Sequence, residues 1–484
     1  MMARQKARNQ RRAQAYQASA HDITIPLPLS GLFEEAKSAK VSNLYAAELL
    51  NWRSTGLKLS LRPGIDWQGE RAPILQRIPY QFGKTPKYIE ITKDQAICGT
   101  ATFSRMFAGN AAYAEISSNV VLADGYGDVI RFDGASFIVA AFTTITGADP
   151  KKFDGMIAHH DRLFFWQNEG ALEFYYGDVG AVMGGLVRFP LDRLGNITGS
   201  IAAMLSLTID AGHGMNDVLC IITTTGQIIV YEGLNPGDAA DWRLTGRVNA
   251  ARPVSRDAFV MIGADVWMLT PLGVVSIGES IRSSVLALSS DLSAPIAQEI
   301  EDLVSAGGGV WKMFLAADGS MVIINRAQGL RARQFIYYIK SRSWATGDMG
   351  LRDMHNLGGI PQCTGFDGRL GAIRHTNSNE VITARWVSSW FDVGRESSVE
   401  WVQPVIRADG PLTVRVVILS DNNDTAADIT ESEQTVMLEP EEDGGGIVTL
   451  RDKITSDAVG SSFQITIEVT AKWAEIISMK AGLA

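Results

Sequence analysis

The chain of 484 residues has no run of 18 or more apolar residues, so its sequence predicts no membrane-spanning helix. Its first 20 residues lack the apolar stretch of a secretory signal. Cysteine is scarce: Cys98, Cys220 and Cys363 are far apart and odd in number. Each lies beside an apolar run, which predicts buried thiols and a reducing compartment. Clustered zinc ligands are missing, so we predict no metal and no cofactor.

Signatures of catalysis are also sparse. The nucleophile-elbow pattern G-x-S-x-G does not occur. The glycine runs at 125–127, 307–309 and 444–446 lack the lysine and the strand-to-helix setting of a phosphate-binding loop, so we interpret them as turns. We therefore predict a protein without enzymatic activity and without catalytic residues.

Three groups of residues are candidates for catalysis or metal binding. His159-His160-Asp161 is the most enzyme-like cluster, but neighbouring strand residues point to opposite faces, so we interpret it as structural, with His159 starting a blade strand. Asp210, His213 and Asp217 are sparser in carboxylates than a calcium loop, which favours a glycine-rich turn. Glycosidase chemistry needs two converging acids, and one sequence does not say which acids converge among Asp154, Asp161, Asp178, Asp192 and Asp210.

The charge balance is acidic, with a net charge of -9. This argues against a general nucleic-acid binder, because such proteins present basic surfaces to phosphates. It is compatible with a channel through which DNA slides without being gripped.

A recurring hairpin dominates the sequence. Two apolar, β-branched or aromatic runs meet at a glycine-bearing turn, and the successive turn glycines are separated by 45, 56, 47, 46 and 49 residues: Gly125, Gly170, Gly226, Gly273, Gly319 and Gly368. A period of this size is typical of a four-stranded propeller blade. We predict a mainly β protein with a β-propeller of about five to seven blades.

The remaining segments predict four regions. Residues 1–20 form a basic helical or extended arm, and 21–70 form a lead-in with a short helix, capped by Ser42, before a strand. Residues 71–375 carry the propeller, with a helical insertion near 289–306 capped by Ser293. Residues 376–484 contain strands such as LTVRVVIL and SFQITIEVTA and predict a separate β-sandwich platform.

The basic arm is the one strongly biased segment. It has no acidic residue before Asp22 and no apolar stripe that would dock it on its own domain. We predict that it contacts a partner, either a neighbouring subunit or an acidic surface, through its basic residues: Arg4, Lys6, Arg8, Arg11 and Arg12.

Several segments resemble virion proteins of short-tailed bacteriophages, known as nozzle, tail-hub, tail tubular or packaged-DNA-stabilisation proteins. LYAAELLNWRSTGLKLSLRPGI is similar to the motif that leads into their propeller. FDGMIAHHDRLFFWQNEGALEFYY, MGGLVRFPLD, TIDAGHGMNDVLCIITTTGQIIVYEGLNPGDAADWRLTGR and VWMLTPLGVVSI follow in the family's order. The resemblance covers roughly residues 40–345; the basic start at residues 1–20 is a departure from it.

The resemblance implies a structural protein of the phage tail, made in the host cytoplasm. It implies a homo-oligomeric, hexameric ring below the portal and adaptor, which closes the DNA exit channel, retains the genome and conducts DNA during ejection. Implied partners are portal and adaptor proteins, tail fibres or spikes, and passing double-stranded DNA without sequence-specific binding. The alternative is a tail-associated propeller glycosidase or a carbohydrate-binding module.

Within the lead-in, two residues are predicted to anchor the junction between arm and propeller. Trp52 has apolar neighbours on both sides in sequence, which predicts burial. Arg62 begins Arg62-Pro63-Gly64, where the proline presets a turn after a strand.

Overall fold

The computed structural model describes residues 21–33, 42–68, 74–82, 85–145, 147–210, 215–283, 290–316, 318–328, 331–357, 360–375, 378–421, 429–438 and 448–484. The chain divides into two compact units. The propeller unit comprises Trp67–Arg333 and Met349–Ala372. The three-segment unit comprises Met1–Asp66, Gln334–Asp348 and Ile373–Ala484, of which residues 1–20 lie outside the described part.

Strands dominate both units, which confirms the predicted mainly β class. In chain order they are β1 (His21–Ile25), β2 (Gly31–Leu32), β3 (Tyr45–Leu50), β4 (Trp52–Ser54), β5 (Leu59–Leu61), β6 (Gly64–Trp67), β7 (Gln76–Phe82), β8 (Thr85–Ile91), β9 (Gln95–Cys98), β10 (Ala101–Ser104), β11 (Ala112–Ile116), β12 (Asn119–Ala123), β13 (Ile130–Phe132), β14 (Phe137–Val139), β15 (Phe142–Thr144), β16 (Gly155–His159), β17 (Arg162–Trp166), β18 (Glu173–Tyr176), β19 (Gly184–Pro190), β20 (Ile201–Asp210), β21 (Met215–Thr223), β22 (Gln227–Glu232), β23 (Arg243–Asn249), β24 (Phe259–Ile262), β25 (Asp265–Thr270), β26 (Gly273–Ser276), β27 (Val310–Leu315), β28 (Met321–Gln328), β29 (Arg331–Tyr338), β30 (Ser343–Gly347), β31 (Leu351–Leu357), β32 (Ile360–Gly365), β33 (Leu370–Arg374), β34 (Ile382–Ser388), β35 (Phe391–Ala408), β36 (Leu412–Asp421), β37 (Ile429–Leu438), β38 (Val448–Leu450), β39 (Ile454–Ala471) and β40 (Ala474–Leu483).

The propeller unit contains six separate sheets, so the blade number lies within the predicted range. They are built from β7–β10, β11–β14, β15–β19, β20–β23, β24–β26 and a sixth sheet that contains β31–β33. The hairpin β27–β28 lies between the fifth and sixth sheets, since β27 contacts both β24 and β31. β31 in turn contacts β7, and the Gln68 N–H donates to the Leu370 carbonyl at 2.7 Å, so the ring closes between its two ends.

The predicted hairpins are present. Each of the six turn glycines connects two consecutive strands of the propeller unit, and all except Gly170 have a positive φ. At Gly226 the φ is 91°, and a Cβ would meet the Ala250 carbonyl oxygen at 2.4 Å. Only glycine fits this turn, because the conformation is strained for other residues and the space is filled by backbone.

The cores lie between successive sheets, which explains why so many propeller strands are apolar without alternation. Along β12, Val120 and Leu122 pack toward the first sheet, whereas Val121 and Ala123 pack toward the third. In β17, Phe165 joins the second core and Phe164 the next one. Because side chains alternate along a strand, a blade with neighbours on both sides needs apolar residues at every position.

Helices are few in the described part of the chain. They are α1 (Ile277–Ser283), α2 (Ser290–Ser293) and α3 (Ala297–Ser305), with 3-10 turns at Pro150–Lys152, Asp192–Leu194 and Ala294–Ile296. The predicted insertion near 289–306 is therefore helical over 290–305, and Ile296 and Ile300 are fully buried. Ser293 is not the predicted helix cap: its Oγ accepts the Val274 N–H at 3.1 Å instead.

The three-segment unit joins early and late parts of the chain by strand pairing. β40 pairs with β1, β5 and β35, while β3 pairs with β34. β39 pairs with β35 through its first half and with β34 and β36 through its second. The predicted strands LTVRVVIL and SFQITIEVTA lie in β36 and β39.

The short helix predicted in the lead-in is wrong. Tyr45–Leu50 forms the strand β3, parallel to β2 and antiparallel to β34. Ser42 caps no helix; its Oγ accepts the Leu44 N–H in a turn. The alanine and leucine residues of this segment have good helix propensity, but pairing with strands remote in sequence overrides that weak local preference.

Candidate functional site

Arg62 lies at the centre of a polar cluster inside the three-segment unit. Its Nε donates to Asn51 Oδ1 at 2.9 Å, and its two terminal nitrogens donate to the Glu380 carboxylate at 2.9 and 3.1 Å. Glu380 also accepts the Ile65 N–H at 2.6 Å, and Asp348 lies 3.5 Å from the guanidinium. The Arg62 side chain is 4% exposed, so water hardly reaches its charge. The bidentate pairing with the Glu380 carboxylate compensates that charge within the protein.

Two buried residues lie at the start of β4, and the first of them, Asn51, belongs to the same cluster. Trp52 is fully buried, as predicted, and Asn51 is 1% exposed with a φ of 57°. Asn51 donates its amide to the Thr383 carbonyl at 2.7 Å while accepting from Arg62, so one side chain ties two remote segments together. The residues that carry the resemblance in the lead-in thus stabilise this unit, and the role of Trp52 and Arg62 as junction anchors stays a prediction.

The basic arm cannot be placed. Its five candidate contact residues lie outside the described residues: Arg4, Lys6, Arg8, Arg11 and Arg12. The prediction that they contact a partner therefore stands on the sequence.

The His159-His160-Asp161 cluster is a tight turn at the end of β16, not the start of a strand. His160 and Asp161 have φ of 46° and 54°, and the turn brings the two imidazole centroids to 4.1 Å, closer than the predicted alternation allows. His159 Nδ1 lies 2.8 Å from Ser206 Oγ. Burial, and secondarily the neighbouring His160, lowers the pKa of His159 to about 4, while Asp217 acts in the opposite direction.

The low pKa of His159 predicts that the free energy of unfolding decreases in mild acid. Its pKa is depressed in the folded chain, so the unfolded chain takes up the proton first and stability falls as pH drops from about 6.5 toward about 4. The full shift corresponds to about 3 kcal/mol. Urea unfolding at several pH values should show a smaller loss for His159→Asn, whose amide can still bond Ser206 without titrating. Equal losses in variant and wild type would assign the effect to other groups.

The remaining sequence candidates do not converge. His213 lies outside the described residues, whereas Asp217 accepts from Thr208 Oγ1 at 2.6 Å. Within the described ranges, no three His, Cys, Asp or Glu side chains form a group that could hold a metal ion. The cysteines Cys98, Cys220 and Cys363 are buried and free, as predicted for small core residues.

A polar cavity lies where the innermost strands of the propeller unit meet. It has a volume of about 570 Å³ and is lined by residues of β7, β11, β16, β24, β27 and β31. Two adjoining cavities of about 180 and 280 Å³ share Asn110 with it. Of the five acids considered for glycosidase chemistry, Asp154 is the one found among the lining residues of these three cavities.

Asn110 connects the charged groups around this cavity. Its amide donates to Asp257 at 2.6 Å, its Oδ1 accepts from Lys312 at 3.1 Å, and its carbonyl accepts from Arg256 at 3.0 Å. Arg256 also pairs with Asp154 at 3.2 Å. Three sheets and the β27–β28 hairpin are thereby connected by hydrogen bonds across the inner ends of their strands.

Two further titratable groups lie on β31. Burial raises the pKa of Asp353, although Lys312 nearby lowers it in part. Burial, with a contribution from Arg77, lowers the pKa of His355 to about 3, so this imidazole is neutral at physiological pH. These residues come from several separate sheets of the propeller unit.

A spacing could have found part of this site. One polar residue lies 15 or 16 residues before a turn glycine in four repeats: Asn110, Asp154, Asp257 and Asp353. The glycine lies in the second turn after the inner strand, so the spacing places these four residues at or near the start of an inner strand.

No helix within the described residues has the length and apolar character needed to cross a bilayer.

Comparisons with known proteins assign the chain to no family. No protein-family model matches the chain, and no curated protein matches it. Among solved structures, YCF48 from Cyanidioschyzon merolae shares 11% identity over 64% of this chain and 98% of its own, with a TM-score of 0.38. BamB from Moraxella catarrhalis shares 11% over 66% and 99%, with a TM-score of 0.35. The β-propeller domain of Cps50 (Swd1) from Myceliophteria thermophila shares 11% over 66% and 100%, with a TM-score of 0.41.

Proposed function

We propose that this chain is a structural protein of a phage virion, the nozzle or hub ring of a short tail. The observation that carries the proposal is the order of the sequence segments that resemble this family, over roughly residues 40–345. The burial of Asn51, Trp52 and Arg62 supports it, because the lead-in segment that resembles the family stabilises the three-segment unit.

The size of the central cavity supports a DNA path outside the propeller unit. Its central cavity of about 570 Å³ has the size of a small-ligand pocket and is crossed by hydrogen-bonded side chains. A duplex therefore passes between copies of the chain, in a ring built by head-to-tail interfaces. With a net charge of -9 per chain, such a ring repels phosphates and lets DNA slide.

The proposal assigns no catalysis to this chain. A tail-associated propeller glycosidase is the competing function, and it requires that purified protein hydrolyse a host polysaccharide. Native mass spectrometry of the purified chain and of the tail complex tests the proposal directly. A hexameric ring of this chain in the tail complex supports the proposal. A chain that is monomeric in solution and absent from purified virions refutes it.

The basic arm gives a second test. Deleting residues 1–20 is expected to leave the melting of the monomer unchanged and to weaken ring formation, because the arm has no apolar stripe to pack on its own domain. Replacing Arg8, Arg11 and Arg12 by glutamate should act in the same direction, with up to about 1 kcal/mol for each screened contact.

A control separates charge from length. An arm whose five basic residues are changed to glutamine keeps its length, so normal assembly of this variant would show that the charges do not matter. An equal loss of monomer stability and assembly after the deletion would place the arm in the fold.

A further inference from the structure

The central cavity of the propeller unit has the size and lining of a ligand site. Its volume of about 570 Å³ lies within the range of about 300–1,000 Å³ typical of small-molecule pockets. Apolar side chains such as Met156 and Phe259 alternate in its wall with Tyr113, Lys312 and Asp353. Tyr113 is 42% exposed, so one aromatic side chain is accessible to a ligand.

The charges around the cavity already have partners. Arg256 is paired with Asp154, and Asp257 accepts from Asn110. Lys312 donates a hydrogen bond to Asn110, and its charge offsets part of the rise that burial causes in the pKa of Asp353. An ionic ligand would have to break one of these pairs or face a like charge, whereas a neutral polar ligand can use the lone pairs and N–H groups that remain.

His355 lies behind the same wall. It is 5% exposed, and both of its ring nitrogens are buried without a hydrogen-bond partner. Its ring lies 5.1 Å from that of Tyr88, whose hydroxyl is buried in the same way. These polar atoms are shielded from the cavity, so a ligand is held by the other polar groups of the wall.

We propose that this cavity binds a neutral, hydroxyl-rich ligand, namely an oligosaccharide. Tyr113 provides an aromatic surface for it, while Lys312 provides a donor and Asp353 an acceptor. The inference is independent of the proposed virion role, since it rests on the propeller unit alone.

Isothermal titration calorimetry of the full chain with maltotriose, cellotriose and chitotriose tests it, with trigalacturonate as the anionic comparison. Saturable binding of at least one neutral trisaccharide is expected. Tyr113→Ala should weaken that binding by about tenfold or more, while Tyr126→Ala should not change it. Tyr126 is a matched control, because it is 66% exposed and is not among the residues that line the cavity.

His355→Phe separates binding from structure. Phenylalanine keeps the ring and removes two buried, unsatisfied nitrogens, so the variant should melt at or above the wild-type temperature and bind the sugar as the wild type does. Unchanged affinity in Tyr113→Ala, tighter binding of trigalacturonate, or no saturable binding of any neutral trisaccharide would overturn the proposal.

Discussion

Replacing Trp52 by alanine is expected to lower the free energy of unfolding by about 3–5 kcal/mol, because a fully buried tryptophan leaves a large cavity that its surroundings fill only in part. Trp52 pairs with Leu61 across the β4–β5 hairpin, so the loss should fall on the three-segment unit. Urea unfolding of the full chain, with hydrogen exchange to assign the transition to a unit, measures this loss.

Leu57→Ala is the matched control for Trp52→Ala. Leu57 lies between the same two strands but is 85% exposed, so its truncation should leave stability unchanged. Trp52→Phe should retain much of the stability, since it keeps an aromatic ring and removes an indole N–H that has no partner. If Trp52→Ala unfolds like the wild type but fails to join the ring, Trp52 belongs to a subunit interface instead.

The propeller could be predicted from the sequence because its signal repeats. A glycine turn is local chemistry, and Gly226 shows why the residue is required: its φ is positive and backbone atoms occupy the space of a side chain. Six glycine turns at similar spacing leave few alternative folds.

The lead-in strand β3 could not be predicted in the same way. Its partners β2 and β34 include a strand more than 300 residues away, and nothing in YAAELL distinguishes a strand from a helix. The hydrogen bonds that decide between the two are long-range.

The candidate site could not be predicted from the sequence for a related reason. Asn110, Lys312 and Asp353 come from segments that are far apart along the chain, and each is an ordinary polar residue in its own segment. Only the closed ring brings them together. By contrast, His159-His160-Asp161 was conspicuous in sequence because its residues are adjacent, yet the structure uses them as a turn.

The Arg62 cluster gives the second large effect. Arg62→Met should cost about 3 kcal/mol, because it leaves the Glu380 carboxylate and Asn51 without their buried partner. Glu380 is 21% exposed, which lets water replace part of the lost interaction. Urea unfolding measures the change.

Two further variants decide whether the cost arises from a buried ion pair. Arg385→Met removes another arginine–glutamate pair of the same unit, with Glu48, but its side chains are 40% and 30% exposed, so the cost should stay below about 1 kcal/mol. Adding Glu380→Gln to Arg62→Met removes the uncompensated charge while keeping an acceptor for the Ile65 N–H, and should restore part of the loss. Equal losses of unfolding free energy in Arg62→Met and Arg385→Met would show that burial of the Arg62 guanidinium adds nothing to stability. The cluster would then not be what holds the lead-in to the late strands of its unit.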